Sequence, residues 1–258
     1  MIKDYIIKNK KNGVNPQILW TNLWKKKKLK NDIKFIVNQT KNSEEYGIVK
    51  NFIKILPKKS RIIDGGCGHG EWVILLNELG FITDGLDFSN VIITGLKKHY
   101  PKYSWKKDDI TNLSYKDSSI DTYFSWGVFE HFEDGFSRPL KEAYRVLRKK
   151  GYLIISVPYD NFRMRLQKRK IKNNPNDNFH FYQWRLREHE LFNELSINNF
   201  EVLKINYIHK IQGTKRLLTS LKLDFLPTFF FDRLVIIISK LLPSKLFAHM
   251  LIAVAQKK

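Results

Sequence analysis

The densest chemistry in this 258-residue chain lies in eight consecutive residues, Asp64-Gly65-Gly66-Cys67-Gly68-His69-Gly70-Glu71. Glycines so placed let the backbone adopt positive φ and approach a ligand closely. Their spacing excludes two common phosphate binders. A dinucleotide fingerprint, G-x-G-x-x-G, read from Gly66 needs a glycine where Glu71 stands, and read from Gly65 needs one where Cys67 stands. A Walker loop needs a terminal Gly-Lys-Ser/Thr, and none follows. What remains is D-x-G-x-G-x-G over 64–70, with Asp87 placed 17 residues after Gly70 and Asp109 further on, in Asp108-Asp109-Ile110-Thr111. A carboxylate at the position of Asp87 can accept two hydrogen bonds from a ribose diol.

These residues need elements that bring them to one edge. Arg61–Asp64 reads as a short strand running into the turn, and Glu71–Leu79 as a helix closed by Gly80. Phe81–Asp87 is the next strand, and Ser89 caps a helix that ends before Pro101. Tyr103–Lys107 and Ile120–Ser125 read as strands. A helix opens at Ser137 and Pro139 and runs through Leu147, Gly151 follows it, and Tyr152–Val157 is a fifth strand. Beyond it come a polar basic loop over 159–180, a helix over about 184–196, a strand at Phe200–Tyr207, an apolar insertion over 208–247 and a last strand at His249–Ala255. Strands alternating with helices predict βαβ units with right-handed crossovers: a doubly wound α/β sheet between two helical layers. Residues 1–42 carry little strand signal and read as an N-terminal helical cap on a domain spanning 43–258. There Asn15-Pro16 begins a helix whose Leu19, Trp20, Leu23 and Trp24 share one face, and Lys25–Lys30 follows, most simply as a solvated face. Ser43 caps a second helix running to about Ile55.

The set resembles class I S-adenosylmethionine-dependent methyltransferases, specifically the small-molecule, type 11-like group. Asp64–Gly70 is similar to that family's first motif, "I-I-D-x-G-C-G-x-G". Ser118-Ser119-Ile120-Asp121 is similar to its "S-F-D" strand and Phe129-Glu130-His131 to its "L-E-H". Arg145-Val146-Leu147-Arg148-Lys149-Lys150-Gly151 is similar to "R-V-L-K-P-G-G", with lysines in place of the proline and one glycine. His180-Phe181 resembles the start of its "H-x-x-x-(W/Y)" segment. The resemblance covers about residues 44–207 and the last strand. It implies a Rossmann-like, mostly parallel sheet with an antiparallel last strand, and S-adenosylmethionine as cofactor. It also implies a cofactor site of Asp64, Gly66, Gly68, Gly70, Asp87, Phe88, Asp109 and Ile110. In that site Asp87 would hold the ribose, Asp109 would accept from the adenine amino group, and Ile110 would pack on the purine.

Methyl transfer from a sulfonium needs chiefly alignment and exclusion of water. A hydroxyl acceptor also needs a base. His131, which follows the fourth strand, is the candidate, with His180 second. The alternative is that Glu130 and His131 only pack beneath the cofactor. Ser125-Trp126-Gly127-Val128 is not the N/D-P-P-Y/F motif of amino-methylating nucleic-acid enzymes. The cysteine nucleophile of 5-methylcytosine enzymes is also missing, since Cys67 sits in the cofactor turn. Both absences favour a small, saccharide or lipid-linked acceptor over RNA; a catalytically idle adaptor is a third reading.

A net charge of +21 draws the chain to anionic partners, although lysine-rich coding bias explains it equally well. Arg163, Arg165, Lys168, Arg169, Lys170 and Lys172 fit an acceptor bearing phosphate, or a solvated loop. One cysteine rules out an intrachain disulfide and a cysteine-rich metal site, and no metal is expected. The absence of a leader or a spanning segment suggests a cytoplasmic protein. The apolar runs Phe229–Phe231 and Leu234–Ile238 suit peripheral contact with a membrane through 225–247, or packing as a lid or dimer patch.

Overall fold

The computed structural model describes residues 1–7, 29, 32–166 and 179–258. The predicted helix after Asn15, the Lys25–Lys30 run apart from Leu29, and Lys168, Arg169, Lys170 and Lys172 of the basic loop lie outside them.

The central layer is a seven-stranded sheet. In chain order its strands are β2 (Arg61–Gly65), β3 (Ile82–Asp87), β4 (Ser104–Lys107), β5 (Ile120–Trp126), β6 (Leu147–Pro158), β8 (Phe200–Ile208) and β9 (Met250–Lys257). Their spatial order is β4-β3-β2-β5-β6-β9-β8. β2 is parallel to β3 and β5, and β6 is parallel to β5. β9 is antiparallel to both of its neighbours. The sheet is therefore mostly parallel with an antiparallel last strand, as the resemblance implies.

Its central strands are apolar on both faces, which is what a sheet covered twice requires. Successive residues point to opposite sides. Ile63, Tyr123 and Ile155 enter one core together with Leu140 of α5 (Ser137–Val146) and Leu191 of α7 (Glu188–Ile197). Ile62, Phe124 and Ile154 enter the other with Val49 of α2 (Glu44–Ile55) and Leu76 of α3 (Glu71–Glu78). Full burial of a side chain such as Phe124 contributes about 1.5–3 kcal/mol. Local signals set the helix starts. Asp32 caps α1 (Ile33–Lys41), Ser43 caps α2 and Ser89 caps α4 (Asn90–His99), each accepting from a backbone N–H three residues on.

The structure adds to or departs from the sequence reading in several places. First, Ile2–Ile7, read as lacking strand signal, is a strand (β1). It pairs antiparallel with β7 (Phe179–Arg185), which was assigned partly to the basic loop and partly to the next helix. β7 has an ordinary strand length and aromatic content, but His180, Tyr182 and Gln183 break the alternation of apolar and polar residues that would mark a strand in sequence. The buried Arg185 guanidinium fixes the ribbon, lying 2.8 Å from Asp4 Oδ2 and 3.1 Å from Asp160 Oδ1. Second, β6 begins at Leu147 rather than Tyr152, and Lys150 (φ 60°) carries the irregularity beside Gly151. Third, the insertion is a helical lobe of α8 (Lys210–Ser220), α9 (Thr228–Leu241) and α10 (Ser244–Phe247), with a small core of its own around Leu218, Phe231 and Val235. The remaining helix, α6 (Phe162–Leu166), falls inside the predicted basic loop.

Candidate functional site

The turn after β2 is clamped from both sides. A Cβ on Gly66 (φ +79°) would lie 2.5 Å from Val128, and one on Gly70 (φ +76°) would lie 2.3 Å from the Trp105 ring. Only glycine fits both the conformation and the space. The N–H groups of Gly66 and Cys67 donate to the Leu86 carbonyl, each at 2.8 Å, which ties the turn to the end of β3. Cys67 is buried and its thiol is pushed well up by that burial, so it packs rather than reacts.

Three carboxylates meet at this turn. Asp64 is buried at the end of β2, and its Oδ1 has no hydrogen-bond partner. Burial first, and then the negative charges of Glu71 and Asp87, hold its carboxyl well above the usual range. Asp87 accepts from the Ser89 N–H at 2.9 Å and, at a long 3.4 Å, from the Gly68 N–H. Burial also raises its pKa. In a chain of net charge +21 this is a local concentration of negative potential around a buried acceptor. A bound cation with donor groups would relieve both the repulsion and the unmet hydrogen bond.

The other predicted residues lie along the same strand ends. Phe88 is half-buried beside Asp87. Asp109 is exposed; its Oδ1 accepts from the N–H and the hydroxyl of Thr111, both at 2.8 Å. Ile110 is buried in the core beneath. His131 stands in the 3-10 turn Phe129–His131 that follows β5. Its Nδ1 lies 2.7 Å from the Tyr182 carbonyl, an acceptor only, so Nδ1 carries the proton of the neutral ring. Burial pulls the His131 pKa down to about 4, and pushes that of the fully buried Glu130 up to about 8. His131 Nε2 and Glu130 Oε1 are 3.8 Å apart. At pH 7 both groups are neutral: the carboxyl holds its proton and the ring holds one.

Residues 63–155 match a family described as a methyltransferase domain. A probable S-adenosylmethionine-dependent methyltransferase of Mycolicibacterium smegmatis is 27% identical over 97 residues, which are 38% of this chain and 37% of that protein. A tRNA (carboxymethyluridine(34)-5-O)-methyltransferase of Arabidopsis thaliana is 30% identical over 111 residues, 42% of this chain and 26% of that one. The matches thus span well under half of either relative's length. The crystal structure of an S-adenosylmethionine-dependent methyltransferase from Methanosarcina mazei superposes with a TM-score of 0.59 at 20% identity, covering 82% of this chain and 97% of that one. Residues 63–155 are thus similar to the methyltransferase domain of S-adenosylmethionine-dependent enzymes, and the sheet around them has the fold of such an enzyme.

The site suits S-adenosylmethionine, which brings an ammonium, a sulfonium and a ribose diol. The unpartnered Asp64 oxygen and the acidic glycine cradle are the observations that fit it. Asp109 and Ile110 stand at the neighbouring strand end, and His131 lies across the turn from them on the loop after β5.

Two features near the site are not visible in the sequence. The β1–β7 ribbon is laid against the turn that holds His131: besides the His131 bond, Trp184 Nε1 donates to the Phe132 carbonyl at 2.9 Å. His180 lies on this ribbon, and its Nε2 is buried without a partner. Trp126, at the end of β5, stacks on Trp72 with ring centroids 4.4 Å apart, and the Trp126 indole N–H is buried without an acceptor. The tryptophan in Ser125-Trp126-Gly127 was the available signal; its pairing with Trp72 was not visible from the spacing.

Proposed function

We propose that this chain transfers the methyl group of S-adenosylmethionine to a small-molecule acceptor of saccharide or lipid-linked type. The observation that carries the reading is the buried, unpartnered Asp64 carboxylate among Glu71 and Asp87, in a cradle that only glycine can form. Asp64 would hold the amino group of the donor, Asp87 its ribose diol, Asp109 the adenine amino group, and Gly66, Gly68 and Gly70 would admit its backbone-hugging pose. When bound, S-adenosylmethionine supplies a methyl already activated on a sulfonium. The chain's own groups then orient the acceptor and exclude water. His131, held by the Tyr182 and Gly127 backbone, is the group we assign to take the acceptor's proton. A ring whose pKa is near 4 is unprotonated across the neutral range and ready to accept, though as a weak base, so it suits an acidic hydroxyl.

A second reading, RNA methylation, is favoured by the similarity to the Arabidopsis tRNA enzyme and by the net charge. Both readings are tested by following labelled methyl from S-adenosylmethionine into lipid, sugar-nucleotide and tRNA fractions, with wild type and His131→Ala. The proposal expects label in a lipid or small-molecule fraction, and turnover reduced far more than cofactor affinity in the variant. Label confined to tRNA, with binding that falls steeply with salt, replaces it by the RNA reading. Undiminished turnover in His131→Ala removes the base assignment.

A further inference from the structure

The lobe over 208–247 has an unusual distribution of apolar side chains. α9 buries one stripe, Phe231, Val235 and Ser239, spaced four residues apart, against α8. The rest of the helix is also apolar, and it faces out. Phe229, Phe230, Ile236, Ile237 and Leu241 are 44–80% exposed, and Phe225, just before the helix, is 77% exposed. The only charged residues on that outward arc are Arg233 and Lys240, and the Arg233 guanidinium lies 5.0 Å over the Phe229 ring. Across residues 208–247 seven lysines and arginines stand against two aspartates, Asp224 and Asp232, and no glutamate. Asp232 is already paired with Lys215 at 2.8 Å.

We infer that the outward face of α9 docks on an anionic lipid surface, with its aromatic and aliphatic side chains in the headgroup–acyl boundary and Arg233 and Lys240 reaching the phosphates. The pattern is that of an interfacial helix: an apolar face with basic residues on it, its one acid, Asp232, being paired with Lys215. The long stems of Arg and Lys let their charges reach headgroups while their carbons stay in the apolar layer. A spanning arrangement is excluded for this helix, because no described helix is long and apolar enough to cross a membrane. Charge also decides against a second copy of the chain. Two such faces would bring Arg233 and Lys240 together, with Asp232 already held by Lys215 and seven basic residues against two acids in each lobe, whereas an anionic bilayer offers the complement.

The position of the lobe gives the contact a purpose, in a step that rests on the proposed function. It connects the carboxyl end of β8 to the start of β9, where Ile208 and Pro158 both pair with Met250. The carboxyl ends of β2, β5 and β6 lie at that same edge. A membrane held by α9 would therefore lie beside the edge that holds the cofactor turn, where a lipid-linked acceptor would have to arrive.

Co-sedimentation of the full chain tests the docking. Vesicles of phosphatidylcholine alone and of phosphatidylcholine mixed with phosphatidylglycerol are compared at low and high salt, for wild type and for Phe230→Glu with Ile237→Glu. Both positions are solvent-exposed, so the double variant keeps the fold, which thermal melting checks. The expected result is binding of wild type to the mixed vesicles, at least about tenfold weaker in the variant, with S-adenosylmethionine affinity equal in the two. No wild-type binding at low salt overturns the inference. So does binding that high salt abolishes but the double variant leaves unchanged, which would be attraction of surface lysines alone. Self-association in the ultracentrifuge that the variant removes, without vesicle binding, overturns it in favour of a dimer face. Because cofactor affinity is read separately, a failure here is distinguishable from a failure of the methyltransferase reading.

Discussion

The Asp64–Gly70 turn and the α8–α10 lobe stand at the same edge of the sheet and leave opposite kinds of group unsatisfied. The turn hides polar atoms it cannot pair: Asp64 Oδ1 is buried and unpartnered, and Trp126 Nε1 nearby is likewise without an acceptor. The lobe displays apolar groups that it does not pack, along the outer face of α9. An unpaired buried acceptor costs about 1–3 kcal/mol unless something supplies the donor. An exposed apolar patch loses the benefit of burial until a partner covers it. On the readings proposed above, a small cationic ligand completes the turn and an extended anionic surface completes the lobe. Two different ligands at one edge suit an enzyme that draws its donor from solution and its acceptor from a surface.

The turn is clamped by Val128 and Trp105, and the lobe has a small core of its own. The largest effect is expected from Gly70→Val. Strain at φ +76° and a clash with the Trp105 ring together cost about 5 kcal/mol, and cofactor binding disappears with the turn. Thermal melting and calorimetry check this, and a stable, binding-competent variant would break the argument that only glycine fits. Phe231→Ala removes the centre of the small lobe core, with a local cost of about 3 kcal/mol. Hydrogen exchange should show α9 opening while S-adenosylmethionine affinity stays within about twofold. Loss of binding would show the two regions to be one unit.

A smaller, pH-dependent effect is expected from Glu130→Gln. The folded pKa of Glu130, about 8, is raised above the unfolded value of 4.5 by burial. Its protonation therefore supports the fold fully below pH 4.5, and that support is lost as pH rises through 8. The glutamine variant should melt higher than wild type at pH 8–9 and alike at pH 4.5. A gain only on the acid side would contradict a neutral carboxyl.

Much of the turn was legible in the sequence because glycine spacing, capping serines and strand ends are local facts. The D-x-G-x-G-x-G run and Asp87 state their positions without reference to the rest of the chain. The β1–β7 ribbon was not legible, because its two strands are some 170 residues apart and pair only in the folded chain. Neither strand alone shows a clean period of two, and Arg185, which binds Asp4 and Asp160, reads in sequence as one more surface cation. The orientation of α9 was hidden for a related reason. A helix apolar on every side gives no preferred face, and only its packing on α8 decides which residues are left out.

The central claim, that the acidic glycine turn holds S-adenosylmethionine, is tested most directly by calorimetric titration of the cofactor into the full chain and into Asp87→Ala. The account predicts micromolar binding by wild type, weakened at least tenfold in the variant, or about 1.4 kcal/mol. Absence of binding by folded wild-type protein, or equal affinity in the two, would contradict it.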